Sequence, residues 1–322
     1  MIYIPESVTS SEGGKALMIF GNGTEKLKNG AAPVLLLLFV GITLWSWYFY
    51  IHRAAEVPVK SDWQAAVDYL GGKFQNGDLL VSVPWWADEG EEAYVKAGLP
   101  YRYLQRVDKE VFAGYSRLWI LSTFGRFKES QAEKRGYRLE SFNEIGPVGV
   151  YLYSIPQPEP LSYDFRANIA RAHVFVRRDK RDKDCKKWDA ARQMHFCGPG
   201  SWNWIGPETI ERDMAQRDVL WAHPLTGAEI HIAFEDVPIT KELVVQHGLS
   251  EYAARLKEGV PVFIDVYIDG VLQKRVRQDN VRGWFIERIT PKDMLGQRHE
   301  VEFVVRARED GRRHFHFSAQ AI

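Results

Sequence analysis

The hydrophobic pattern divides the chain into three kinds of segment. Val34 to Ile51, VLLLLFVGITLWSWYFYI, runs without a charge or a proline. As a helix it would extend roughly 27 Å, close to the ~30 Å hydrocarbon thickness of a bilayer. Rings crowd its second half, at Trp45, Trp47, Tyr48, Phe49 and Tyr50, as suits a membrane–water interface. Pro33 fits a first helical turn, and His52 and Arg53 can snorkel from the far end. These features predict an uncleaved transmembrane helix over 33–53. The run is longer than a signal-peptide core, and Ala54-Ala55 makes a poor cleavage site. Residues 1–32, rich in Ser, Gly, Asn and Thr, read as a tail.

After the anchor, short apolar runs alternate with helical periodicity. Ser61 to Leu70 carries Trp63, Ala66, Val67 and Leu70 at helical spacing, with Ser61-Asp62 as its start and Gly71-Gly72 as its stop. Leu79–Val83 and Arg117–Ser122 are continuous apolar runs, as in strands covered on both faces. Glu89–Ala97 and Phe127–Arg135 read as helices; 102–104, Tyr137–Ser141 and Val148–Tyr153 read as strands. The order predicts a small three-layer α/β domain over 61–155 with a mostly parallel sheet. Prolines 156, 158 and 160 then make a stiff linker over 156–161.

Beyond the linker the helical signal fades. Short β-type runs recur at Ala172–Val176, Val219–Ala222, Glu229–Phe234, Leu243–Gln246, Val260–Ile268, Leu272–Val276, Trp284–Ile289, Val301–Arg306 and His314–Ser318. Asp269-Gly270 is a hairpin signal, and Ser250–Lys257 reads as one short helix. Residues 162–322 are therefore expected to form an all-β sandwich, jelly-roll-like. The fold class is α+β multidomain: one transmembrane helix, a small α/β domain, then the sandwich.

Charge and cysteine content narrow the setting. Lys plus Arg number 42 and Asp plus Glu 42, so bulk electrostatics give no reason to expect a nucleic-acid partner. A mean hydropathy of −0.30 excludes a polytopic membrane protein. Two cysteines, Cys185 and Cys197, stand too far apart for a CxxC pair. Behind an anchor they are expected to form one disulfide on the non-cytoplasmic side. Charges flanking the span do not decide orientation. The cysteines and the large C-terminal body place the soluble part outside the cytoplasm, periplasmic or external, on a single-pass cell-membrane protein.

Candidate chemistry lies in four places. Trp85, Trp86, Asp88 and Glu89 follow the first strand, at the end where open α/β sheets bind ligands. Rings beside carboxylates suit a sugar; acids at a helix N-terminus beside core tryptophans are the plainer reading. His314 and His316 alternate on a strand and would need a third ligand, His195, His223 or His231, to hold a metal. A packed or solvated pair is the plainer reading, so no metal or cofactor is expected. The segment Cys185–Trp204 carries Trp188, Trp202 and Trp204, either as a sugar platform or as a plug closing the sandwich. Arg177–Lys187 reads as a solvated charged loop, with binding of anionic lipid or polysaccharide as the alternative. No Gly-x-Ser-x-Gly elbow, P-loop or GxGxxG occurs.

The aromatic helix, then SDWQAAVDYL at Ser61–Leu70, GDLLVS at Gly77–Ser82 and RLWILS at Arg117–Ser122 resemble the end of polytopic membrane glycosyltransferases of the GT-C class, protein mannosyltransferase type. The resemblance covers roughly 34–155. It implies a terminal transmembrane helix leading into an extracytoplasmic α/β domain, and a glycoconjugate pathway. That family's acidic catalytic residues lie in a loop between its first transmembrane helices. Nothing here corresponds to that loop, so no catalytic residue is carried over. The C-terminal part is similar in outline to β-sandwich modules appended to bacterial sugar-handling proteins. The expected function is a membrane-anchored protein of envelope glycan assembly. It would be a non-catalytic companion or C-terminal portion of a GT-C-like transferase that binds a glycan or lipid-linked sugar weakly. The rivals are an extracytoplasmic hydrolase or transferase using Asp88, Glu89 or the histidines, and an adhesion or scaffold protein.

Overall fold

A computed structural model describes residues 28–322 apart from 88, 157–158 and 292. The chain divides into two compact units, 1–55 and 56–322. In the first, helix α1 covers Lys28–Glu56, and its stretch Pro33–Ala54 is long and apolar enough to cross a membrane. Val34 to Ile51 are exposed along the whole run. The helix begins before Pro33 rather than at it. The proline's missing N–H therefore falls where an intrahelical bond would otherwise form.

The second unit opens with helix α2, Lys60–Gly71, which buries Trp63, Ala66, Val67 and Leu70. Its start is tied by Asp62, whose Oδ2 accepts from the Val59 N–H at 2.8 Å. A five-stranded sheet follows: β1 Asp78–Val83, β2 Tyr101–Tyr103, β3 Arg117–Thr123, β4 Arg138–Ile145 and β5 Val148–Ser154, in the order β2-β1-β3-β5-β4. β1 runs parallel to β2 and β3, whereas β3, β5 and β4 are antiparallel. The sheet is thus mixed, not mostly parallel. Gly146-Pro147 closes a hairpin between β4 and β5, with Gly146 at φ 56°, a turn that reverses the chain without a crossover. β1 is buried on both faces because its side chains alternate between two cores. Leu80 packs under α2 and α3 (Glu91–Lys96), while Leu79, Val81 and Val83 pack under the opposite layer with α4 (Ser130–Glu133). The expected helix 127–135 is reduced to α4. The Phe127 N–H bonds the buried Ser122 Oγ at 3.1 Å and its ring enters the core, and the helix starts only at Ser130.

Among the described residues, thirteen further strands form two packed sheets. They are β6 Tyr163–Asp164, β7 His173–Arg178, β8 Arg181–Asp184, β9 His195–Phe196, β10 Trp204–Glu211, β11 Gln216–Ala222, β12 Glu229–Ile239, β13 Leu243–Leu249, β14 Val262–Ile268, β15 Val271–Gln278, β16 Phe285–Ile289, β17 Gln297–Ala307 and β18 Phe315–Ala321. A seven-stranded sheet runs β16-β13-β18-β11-β10-β9, with β6 beside β18; a six-stranded sheet runs β15-β14-β17-β12-β7-β8. Taken alone, β11 to β18 alternate between the sheets as 11-18-13-16 and 12-17-14-15. That is the double Greek key of a jelly roll. Their inward residues make one core around Phe165, Phe234, Phe303, Phe315 and Phe317. Asp269-Gly270 forms the expected two-residue turn between β14 and β15, both residues at positive φ. The short helix appears as α5, Glu251–Arg255, with Ser250 Oγ accepting from the Ala253 N–H at 3.2 Å.

Several strands exceed or escape the expected runs. β10 contains Pro207, yet β9 pairs only with Trp204 and Ile205, so Pro207 faces an edge where no N–H is needed. β12 continues through Pro238 after a bulge between Phe234 and Val237, again beyond its pairing with β7. Arg177–Lys187, read as a loop, is the β7–β8 hairpin. Cys185 and Cys197 are bonded, with Cα atoms 4.4 Å apart, joining the ends of β8 and β9.

The five-stranded sheet and the sandwich share contacts within this one unit. Arg217 of β11 donates to both carboxylate oxygens of Glu110, Nη1 to Oε2 at 2.7 Å and Nη2 to Oε1 at 2.8 Å, and both side chains are buried. Val111 and Ala113 pack on Val244 and Ile322 beside it. Glu110→Ala should therefore cost about 3–5 kcal/mol of stability, because it leaves the Arg217 charge buried and unpaired. Denaturant unfolding of the full chain in detergent checks this; a loss below about 1 kcal/mol would contradict it. Reduction of the disulfide should cost roughly 3 kcal/mol through the short loop it closes. Unreduced, denatured protein should show no thiol reactive to a labelling reagent.

Candidate functional site

Ladder register places a row of side chains on the outer face of the seven-stranded sheet. Trp221 stands opposite His316 on β18 and opposite Gly206 on β10, and His316 stands opposite Gly248 on β13. Directly opposite residues share a face. Neighbouring inward residues Ile205, Leu220, Phe315 and Phe317 belong to the core, so this row points away from it. The two glycines let loops approach the sheet. A side chain at Gly206 would meet Gln193 and Met194; one at Gly248 would lie 2.9 Å from the Gly283 carbonyl and the Trp284 ring.

One turn along the strands, Trp204 stacks on Trp221 at 5.4 Å and 22°, and the Trp221 Nε1–H donates to the Trp202 carbonyl at 2.9 Å. Trp202 itself is 53% exposed, while Trp221 is 9% exposed. His314 lies 5.4 Å from the Trp221 ring, 5.8 Å from His223 and 6.0 Å from the exposed Tyr252. His316 lies 5.1 Å from Trp221, and its Nε2 is 3.2 Å from Glu208 Oε2. Both His316 Nδ1 and Glu208 Oε2 are buried without a hydrogen bond among the described residues. The result is a half-exposed aromatic step with histidine and carboxylate groups beside it. Flat rings of this kind present a face to the C–H surface of a ligand, while the adjoining polar atoms orient it.

Burial holds the His223 ring below the ordinary histidine pKa, against a bond to the Pro224 carbonyl; His314 lies close by. Burial also lowers His314, with His316 adding to the effect. Neutral rings can pack on Trp221 without a desolvated charge.

The other sequence candidates are placed as follows. Trp86 is exposed and its ring meets Phe124 at 5.3 Å, at the carboxyl ends of the parallel strands β1 and β3. Trp85 is half-buried and Glu89 exposed; Asp88 lies outside the described residues. No ring stacking or hydrogen bond among the described residues joins this group to Trp202 or Trp204. Trp188 packs with the disulfide against the sandwich core and lies 5.2 Å from His195, so this part of the loop closes the sandwich end. Of the possible third partners for His314 and His316, only His223 joins them. His195 bonds the Ile169 carbonyl at 3.1 Å, and His231 bonds Glu302 at 2.7 Å. No group of three or more His, Cys, Asp or Glu side chains able to hold a metal occurs among the described residues. Trp221, Tyr252 and Glu208 were not singled out from the sequence. Trp221 sits in the β-type run Val219–Ala222, and only strand pairing reveals its outward direction.

No family model matches the chain, and no curated protein matches it. Among solved structures, the chain is similar to a CBM51 from a Clostridium perfringens GH95 in complex with methyl-galactose, at 13% identity and a TM-score of 0.28, covering 36% of this chain and 81% of that one. It is also similar to the CBM51-2 and INT domains of Clostridium perfringens ZmpB, at 10% identity and a TM-score of 0.31, covering 57% of this chain and 40% of that one. A third is a family 11 carbohydrate-binding module from Clostridium thermocellum in complex with a mixed-linked tetrasaccharide, at 8% identity and a TM-score of 0.23, covering 36% of this chain and 82% of that one. At such identities and TM-scores the likeness carries no argument, and the functional reading rests on the residues of the site.

The histidine pKa values give a pH dependence of defined sign. Folded His223 and His314 lie below their unfolded value, so the unfolded chain binds more protons between the two. The stability they contribute is complete above the unfolded value of about 6.5 and is lost as pH falls from there through the lower folded value. His299, raised by Asp269 and the Met294 carbonyl against burial, acts in the opposite sense. The wild-type melting temperature should therefore fall between pH 7.5 and 5.5 more than that of His314→Asn, and the difference between the two curves is the measurement.

Proposed function

We propose that this chain is a membrane-anchored, extracytoplasmic glycan-binding protein whose jelly roll holds sugar rings on Trp202, Trp204 and Trp221. The carrying observation is the stacked Trp204–Trp221 pair on the outer sheet face, with Trp202 exposed beside it. A sugar offers C–H faces to the rings and hydroxyl groups to the half-exposed carboxylate of Glu208, which His316 holds from below at 3.2 Å. The apolar stretch Pro33–Ala54 supports the anchor, and the Cys185–Cys197 disulfide supports an oxidising compartment. Residues 61–155 and 162–322 are the two functional parts, divided at 156–161. The resemblance of residues 34–155 supports a place in envelope glycan assembly, as a non-catalytic companion or C-terminal portion of a GT-C-like transferase. Trp86 beside Phe124, with Trp85 and Glu89 adjacent, supports a second, smaller contact for the same glycan.

Affinity is expected to be weak, on the order of 10⁻³ to 10⁻⁵ M. The full chain in neutral detergent is tested by affinity electrophoresis through dextran, galactan, xylan and polygalacturonate. At least one polymer should retard it. Trp204→Ala should remove the retardation with the melting temperature nearly unchanged. Trp221→Ala, the more buried ring, should instead cost about 3–5 kcal/mol of stability. Retardation by none of the polymers, or full retention by Trp204→Ala, would overturn the reading.

A further inference from the structure

The β7–β8 hairpin separates its charges by face. On one face Arg177 stands opposite Asp182 and is neutralised by it, with bonds of 2.7 and 2.8 Å. On the other face Arg178 stands directly opposite Arg181, and Lys183 opposite Val176. Like charges directly opposite one another destabilise a strand pair. Among the described residues, Arg181, Lys183 and Lys186 have no carboxylate partner, and Arg178 bonds only the Thr226 carbonyl, at 3.2 Å. Asp184 is drawn to the opposite face, where it meets His173 at 3.0 Å. Asp179 lies in the turn, at φ 49°.

These four cations line a groove of about 1050 Å³ beside the disulfide, together with Phe196 and Pro199; Asp179 and Asp184 also reach its lining, so cations outnumber carboxylates there by four to two. Phe196 stands opposite Trp204 in the β9–β10 ladder, so the groove adjoins the aromatic step. A concave surface with a ring in its wall fits a polymer chain; a flat lipid surface would not reach into it.

We propose that this groove takes the anionic groups of an acidic polysaccharide whose neighbouring sugar rings lie on Trp204 and Trp202. The inference rests on the glycan reading above and names its ligand class. Anions between Arg178 and Arg181 relieve the like-charge pair, and Lys183 and Lys186 extend the cationic track along the polymer.

The test uses the full chain in phosphatidylcholine nanodiscs, with polygalacturonate and its carboxyl-reduced, neutral counterpart as probes. Wild type should bind polygalacturonate at least about tenfold more tightly than the neutral polymer, and added salt should erase the difference. The double variant Arg181→Gln with Lys183→Gln should lose about tenfold in affinity for the acid form alone, with an unchanged melting temperature. Both side chains are exposed and unpaired, so folding should not suffer. Equal binding of the two polymers would overturn the acidic preference and leave the glycan reading standing. Unchanged acid binding in the double variant would remove the groove from the site. Acid-selective binding that survives Trp204→Ala would keep the groove and overturn the aromatic platform. Binding of neither polymer would overturn both. Tethering of phosphatidylglycerol vesicles without polymer binding would assign the cations to a membrane surface instead.

Discussion

The bidentate pair between Arg217 and Glu110 fixes where the β10–β11 hairpin lies. β11 pairs with β10 over its whole length but with β18 only at Leu220 and Trp221. The rest of the hairpin needs other tethers. Arg217 provides one to the five-stranded layer, and its guanidinium also sits 5.2 Å from the Trp284 ring centre. Arg212 provides another, from Nη1 to Glu251 at 2.5 Å and from Nε to the Gly283 carbonyl at 3.4 Å. Burying two charges is costly unless geometry and further hydrogen bonds offset the lost hydration. Both requirements are met here: the carboxylate accepts twice, and Arg217 Nε donates to the Arg212 carbonyl at 3.1 Å. Because the hairpin carries Trp204 and Trp221, this pair also positions the aromatic step.

The site is centred on a sheet, with Trp202 added by the turn that precedes β10. Its rings are held by register, by stacking and by one indole hydrogen bond, so little freedom remains to be lost when a ligand arrives. Glycines at 206 and 248 contribute in a different way. Each removes the side chain that would keep a flanking loop off the sheet, and the Gln193–Met194 and Gly283–Trp284 segments close over those positions.

The neighbouring cations show how one hairpin can serve structure and recognition at once. The Arg177–Asp182 face supports the strand pair, and the Arg178–Arg181 face opposes it. The disulfide ties the end of this exposed edge hairpin to β9, which keeps the cationic face beside Phe196 despite the repulsion.

Hydrophobic patterning identifies the apolar helix and the jelly-roll strands, turn chemistry identifies Asp269-Gly270, and the cysteine count identifies the Cys185–Cys197 bond, because burial and turn chemistry act over a few neighbouring residues and two cysteines allow one pairing. It did not reveal β10, whose Pro207 and glutamates lack a strand signature, or the β7–β8 hairpin, whose Asp179-Lys180 turn is not a common hairpin pair. Trp202 and Trp204 were visible as candidates from ring density. Of their partners, Trp221 comes from β11 and His316 from β18, while Glu208 lies farther along β10 itself; the direction of each depends on register with a neighbouring strand. In a run such as Val219–Ala222, Leu220 and Ala222 meet the core while Trp221 turns to the outer face, a division that apolar character alone does not show. The separation of those two faces, and the pairing of Glu110 with Arg217, are long-range choices that only the tertiary packing could make.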